Sequence, residues 1–125
     1  MAQDSNPFRI TREGQRYACP NGSELLELAE REGFSVSGVA EALNLTNRQL
    51  EYAVERVSGL RPKELFRRHR MVLARRLVAE GFSLQVIAQR LGFKHYTHFA
   101  SEVKSYFDLP PRRFQKFVRE LCPES

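Results

Sequence analysis

At 125 residues, 42% hydrophobic and 28% charged, the chain is long enough to bury its own core and too polar throughout for a bilayer. No run approaches the roughly 18 apolar residues of a spanning helix, and MAQDSNPFRI lacks the basic start and apolar stretch of a signal peptide, so a cytoplasmic protein is expected. The net charge of +5 is uneven: residues 21–60 hold three Arg against seven Glu, net −4, and residues 61–121 hold fourteen Lys/Arg against five Asp/Glu, net +9, which points to a polyanion contacted mainly by the second half.

In chain order, Phe8 to Ala18 alternates apolar and polar residues around Glu13-Gly14, the pattern of a small hairpin. Two strands alone are marginal, so the hairpin must pack on something or stay mobile. Cys19-Pro-Asn-Gly22 breaks the chain, and everything after it reads as helix. The first helix is expected from an N-cap at Ser23 to Glu32, burying Leu25, Leu26 and Leu28 and stopping at Gly33. Ser35 caps a second helix with Val36, Val39, Ala40 and Leu43 at i, i+3, i+4, i+7 spacing. Asn44 turns the chain, Leu45 plugs the turn, and Thr46 caps a third helix with Leu50, Ala53, Val54 and Val57 inward.

Pro62 then opens a long helix that ends by Gly81, with Phe66, Leu73, Ala74 and Leu77 as its apolar stripe. Arg67, Arg68, Arg70, Arg75 and Arg76 are expected on its remaining surface. FSLQVIAQRLGF at 82–93 repeats FSVSGVAEALNL at 34–45, and Gly92 takes the turn position of Asn44. Each copy is a helix-turn-helix pattern, in which a small Ala lets two helices approach closely. Phe99, Val103 and Phe107 mark the core face of the helix that follows the second turn. The expected organisation is an N-terminal extension at 1–20, a first helix-turn-helix at 21–60, a linker helix at 61–81 and a second helix-turn-helix at 82–121. The fold class is all-α with about seven helices and a short N-terminal hairpin.

Little else in the sequence carries chemistry. Cys19 and Cys122 lie near opposite ends and are expected as free thiols in a reducing compartment. His95 and His98 have i, i+3 spacing but no third ligand within reach, so no metal is expected. No acid pair, glycine-rich phosphate loop or nucleophile–histidine arrangement suggests an enzyme, and no cofactor or small-molecule ligand is expected.

IAQRLGF, the spaced HF and YFDLPPRRF resemble the signature of the AraC/XylS bacterial transcription regulators. The resemblance covers about residues 23–117, and includes the linker GLRPKELFRRHRMVLARRLV with Arg70, Met71, Ala74 and Val78 at the family's Arg and apolar positions. Asp108, where most members have Gly, is similar to the short MarA/SoxS/Rob type, and the length and Met1 suit such a stand-alone regulator.

The resemblance implies a protein that binds double-stranded DNA, with RNA polymerase as a second candidate partner. Its two reading helices would enter successive major-groove segments about one helical turn apart. Carried over by position, the base readers are Asn47, Arg48, Glu51 and Tyr52 in the first helix, and His95, Tyr96, Thr97 and Ser101 in the second. Tyr52 and Ser101 stand where the family often has Arg, and Gln115 where it usually does. Arg48 is suited to guanine O6 and N7, Glu51 to cytosine N4, and Tyr96 and Thr97 to a thymine methyl. His95 is suited to capping, phosphate or base contact, and His98 equally to packing against the core. Backbone candidates are Ser35, Arg61, Lys63, Ser83, Arg90, Lys94, Lys104, Arg112 and Arg113. Two alternatives keep the fold: a protein-interaction module that modulates another regulator or RNA polymerase, and the DNA-binding output domain of a larger sensor.

Overall fold

The computed structural model describes residues 10–121. They form a short antiparallel pair, β1 (Thr11–Glu13) and β2 (Arg16–Ala18), and seven helices. The helices are α1 (Leu25–Arg31), α2 (Val36–Ala42), α3 (Asn47–Ser58), α4 (Pro62–Ala79), α5 (Leu84–Arg90), α6 (Tyr96–Phe107) and α7 (Pro111–Leu121). The chain divides into two compact units, one ending at His69 and the next starting at Arg70, so α4 gives a half to each. Among the described residues, no helix is long and apolar enough to cross a membrane, and no group of three His, Cys, Asp or Glu is placed to hold a metal ion.

The hairpin is part of the first core. Thr11 pairs with Ala18 and Glu13 with Arg16, and Gly14 (φ 67°) supplies the positive φ that the two-residue turn needs. The expected hairpin began at Phe8, which lies outside the described residues. Ile10, Tyr17 and Cys19 are buried in one cluster with Leu25, Leu50 and Phe66, which resolves how so small a sheet is stabilised. The expected cap of α1, Ser23, is replaced by Glu24. One carboxylate oxygen of Glu24 accepts from Glu27 N at 3.0 Å and the other from Tyr17 N at 3.0 Å, so one side chain caps the helix and ties it to β2. Ser23 instead closes the preceding turn, its carbonyl accepting from Cys19 N at 2.9 Å.

The duplication is visible residue by residue. Ser35 Oγ accepts from Gly38 N at 3.0 Å, and Ser83 Oγ from Val86 N at 3.2 Å. Asn44 (φ 60°) and Gly92 (φ 83°) hold the same left-handed turn position. The plugs Leu45 and Phe93 are both buried, and each donates its N–H to the helical Ala, Ala40 at 2.8 Å and Ala88 at 3.0 Å. After the plug the second copy gains one residue: Thr46 is the cap of α3, but Lys94 precedes the cap of α6, His95. The copies then stay in step at the new offset. Both α3 and α6 have 12 residues, both end on a left-handed residue (Gly59, φ 77°; Asp108, φ 61°), and a proline opens the helix that follows. That left-handed position is why glycine is common there and why the small polar Asp108 is tolerated.

The second unit buries Met71, Ala74 and Val78 of α4 with Leu84, Ile87, Ala88, Leu91, Phe93, Phe99, Val103, Phe114 and Val118. Leu73 and Leu77, expected on the apolar stripe of α4, are only half-buried, because Met71 and Val78 take the inward positions. Phe107 is half-buried and stacks on Phe114 at 4.4 Å.

Candidate nucleic-acid interface

Burial of one side of α3 decides what its other side presents. Leu50, Ala53 and Val54 are buried, so Arg48, Glu51, Tyr52 and Glu55, at i, i+3, i+4, i+7 spacing, share an exposed face. A capping box fixes the start of this helix: Gln49 N donates to Thr46 Oγ1 at 3.1 Å and Thr46 N to Gln49 Oε1 at 2.9 Å. Asn47 Nδ2 donates to Ser37 Oγ at 3.2 Å, which links the first turn of α3 to α2. Glu55 lies 3.8 Å from Arg61 Nε. Among the described residues, Arg48, Glu51 and Tyr52 make no hydrogen bond or ion pair through their side chains, and Tyr52 is 64% exposed.

On α6 the buried residues are Phe99 and Val103, and Thr97, Ser101 and Lys104 lie exposed on the opposite side. His95 occupies the cap position, but its side chain makes no capping bond, so the capping role considered for it is not taken up. The ring of Tyr96 leans on Phe99 with centroids 5.7 Å apart, and His98 packs edge-on against Phe93 at 5.2 Å. Thus all eight base-reading candidates are exposed, four at the start of each 12-residue second helix or one turn on.

The nine backbone candidates are exposed as well. The hydroxyls of Ser35 and Ser83 already act as caps, and Arg61 is shared with Glu55. Arg90 lies over the Phe82 ring at 4.6 Å. Lys63, Lys94, Lys104, Arg112 and Arg113 make no hydrogen bond or ion pair through their side chains among the described residues.

Two arginines expected on the surface, Arg67 and Arg70, are half-buried instead. Arg70 is half-buried, with its guanidinium 3.7 Å from the Phe93 ring centroid and its Nε donating to the Leu91 carbonyl at 3.0 Å. Burial lowers its pKa and the Glu102 carboxylate raises it, as for a cation held partly out of water beside an anion. Leu91 ends α5, Phe93 plugs the turn and Glu102 belongs to α6, so Arg70 braces all three parts of the second helix-turn-helix. Its neighbour serves the first unit: His69 Nε2 lies 2.8 Å from Glu30 Oε2 of α1. The partners of Arg70 lie 21 or more residues away, so nothing in its local sequence sets it apart from the other arginines of α4. Cys19 is buried, and burial, then the nearby Glu24 carboxylate, pushes its thiol up to about 11, the opposite of a reactive setting.

Comparison with known proteins agrees with this geometry. Residues 39–116 match the family described as a helix-turn-helix domain, which is of AraC type. The chain belongs to the AraC-type helix-turn-helix family. The matched residues are an AraC-type helix-turn-helix DNA-binding domain. The HTH-type transcriptional regulator GbdR of Pseudomonas aeruginosa is 28% identical over 89 residues, 70% of this AraC-type chain and 24% of that protein. The chain therefore spans about a quarter of the curated relatives it matches. The C-terminal domain of the two-component response regulator yesN from Fusobacterium nucleatum has a similar fold, with TM-score 0.65 and 22% identity, covering 72% of this chain and 89% of that one. An AraC-type transcriptional regulator from Chromobacterium violaceum gives TM-score 0.59 and 24% identity over 75% and 90% of the two chains. A DNA-binding transcriptional dual regulator from Escherichia coli K-12 gives 0.63 and 17% over 77% and 89%.

Proposed function

We propose that this AraC-type domain binds duplex DNA as a monomer at asymmetric sites, with α3 and α6 each entering a major-groove segment. The observation that carries the reading is the pair of second helices that bury one face and leave Arg48, Glu51, Tyr52, Thr97 and Ser101 exposed on the other. Arg48 is the guanine reader of the first site. Tyr96 and Thr97 are the thymine-methyl contacts of the second, and His95 stands at the helix start, free of a capping bond. Arg61, Lys63, Arg90, Lys94, Lys104, Arg112 and Arg113 grip phosphates, which sets register without reading sequence. RNA polymerase is the second macromolecule in this reading, the machine a bound regulator recruits or blocks.

Affinity for duplex DNA measured against salt tests the grip. With about seven phosphates neutralised, log K is expected to fall with log[salt] at a slope of roughly −6. A flat response, or no binding at low salt, sinks the proposal. Selection of bound sites from a random duplex pool tests the reading, with Arg48→Ala and Tyr96→Ala each expected to erase preference in its own half of the motif. If both leave the selected motif unchanged, these residues are not the readers.

A further inference from the structure

The two carboxylates on the outward face of α3 are not equivalent. Glu55 lies 3.8 Å from Arg61 Nε, so part of its charge is offset within the first unit. Glu51, one turn earlier, is exposed and has no hydrogen bond or ion pair through its side chain among the described residues. It lies between Arg48 and Tyr52, two of the candidate readers, on the surface that faces DNA in the reading above. The matched position on α6 is Ala100, so the second unit has no counterpart.

A carboxylate can only accept hydrogen bonds. In the major groove guanine presents N7 and O6 and thymine presents O4, all acceptors, and adenine sets its N6 donor beside an acceptor. Cytosine alone among the bases presents a donor, N4–H, and no acceptor of its own. An unpaired carboxylate brought against base edges is therefore repelled at most positions and held at one.

We infer that Glu51 is a specificity-determining residue that acts by exclusion. It confines one base of the first half-site to cytosine and weakens binding to every duplex that lacks it there. The inference rests on the reading that α3 enters the major groove, and it adds the sign of the contribution: this residue lowers general affinity and raises discrimination.

The test uses the full chain, a random duplex pool at one fixed salt concentration, and wild type beside Glu51→Ala, Glu51→Gln and Arg48→Ala. Wild type is expected to select a motif with one cytosine preferred about tenfold over thymine, within the usual worth of a base contact. Glu51→Ala should lose preference at that base alone and bind random duplex several-fold more tightly. Glu51→Gln should move the preference toward adenine, because a glutamine amide bridges adenine N6 and N7. If Glu51→Ala and Glu51→Gln select the wild-type motif while Arg48→Ala changes it, the inference is overturned and the reading of α3 stands. If Arg48→Ala and both Glu51 variants leave the motif unaltered, or wild type selects none, the reading of α3 falls and the inference with it.

Discussion

Thr46 and His95 hold the same place, the residue before the second helix of each unit, and only Thr46 caps its helix with its own side chain. The pairing of matched positions continues in that sense. Leu45 plugs the first turn with an aliphatic side chain, whereas Phe93 offers a ring on which Arg70 lies and against which His98 and Phe99 pack. In the first unit α4 is tied to α1 by His69 and Glu30, a bond near the surface. In the second, Arg70 reaches into the turn itself. Both motifs have a serine cap and a buried core; the first adds a capping box and the hairpin, and the second adds one side chain from the linker helix. The exposed faces differ in the same measure, with Arg48, Glu51, Tyr52 and Glu55 matched by Thr97, Ala100, Ser101 and Lys104.

That contrast can be broken most severely at Arg70. Arg70→Ala removes the stacked cation and the partner of the Leu91 carbonyl, and is expected to destabilise the second unit by about 2–3 kcal/mol. Denaturant unfolding followed by site-resolved hydrogen exchange should place the loss in α5 and α6; equal loss of protection in α2 and α3 would refute the assignment. The turn comes next. Ala at Gly92 is expected to cost about 1–2 kcal/mol for the left-handed backbone, and Ala at Asn44 less, since Asn44 already carries part of that cost. Equal losses by thermal melting would mean that the turns are not strained alike. The smallest effect concerns the caps. Thr46→Ala should cost about 1 kcal/mol, while His95→Ala should be close to neutral and His95→Asp should stabilise by roughly 0.5–1 kcal/mol. A stability loss in His95→Ala as large as that in Thr46→Ala would show that His95 does cap its helix.

Legibility followed the range of the interaction. Ser35 and Thr46 cap the next residues along the chain, so their roles are readable from spacing, and the same holds for the left-handed Asn44 and Gly92. Spacing favours Ser23 as the cap, but Glu24 takes the place because it satisfies Tyr17 N as well as Glu27 N, an advantage that exists only when the hairpin lies beside the helix. The repeat was evident over twelve residues, but its continuation through the Lys94 insertion to Asp108 and Pro111 is a match of backbone positions with few shared side chains. The candidate readers were placed by motif, and their exposure follows from which residues of α3 and α6 are buried.

By itself the sequence determined the helices, the caps at Ser35 and Thr46, the turns, the duplication and the charge asymmetry, because each depends on residues within a few positions or on simple sums. Only the tertiary structure decided that the hairpin belongs to the first core, that Glu24 joins strand to helix and that Arg70 is a brace. These depend on which distant groups packing brings within hydrogen-bond or ring-contact distance. A side chain's chemistry sets what it is able to bind; burial and neighbours set what it does bind.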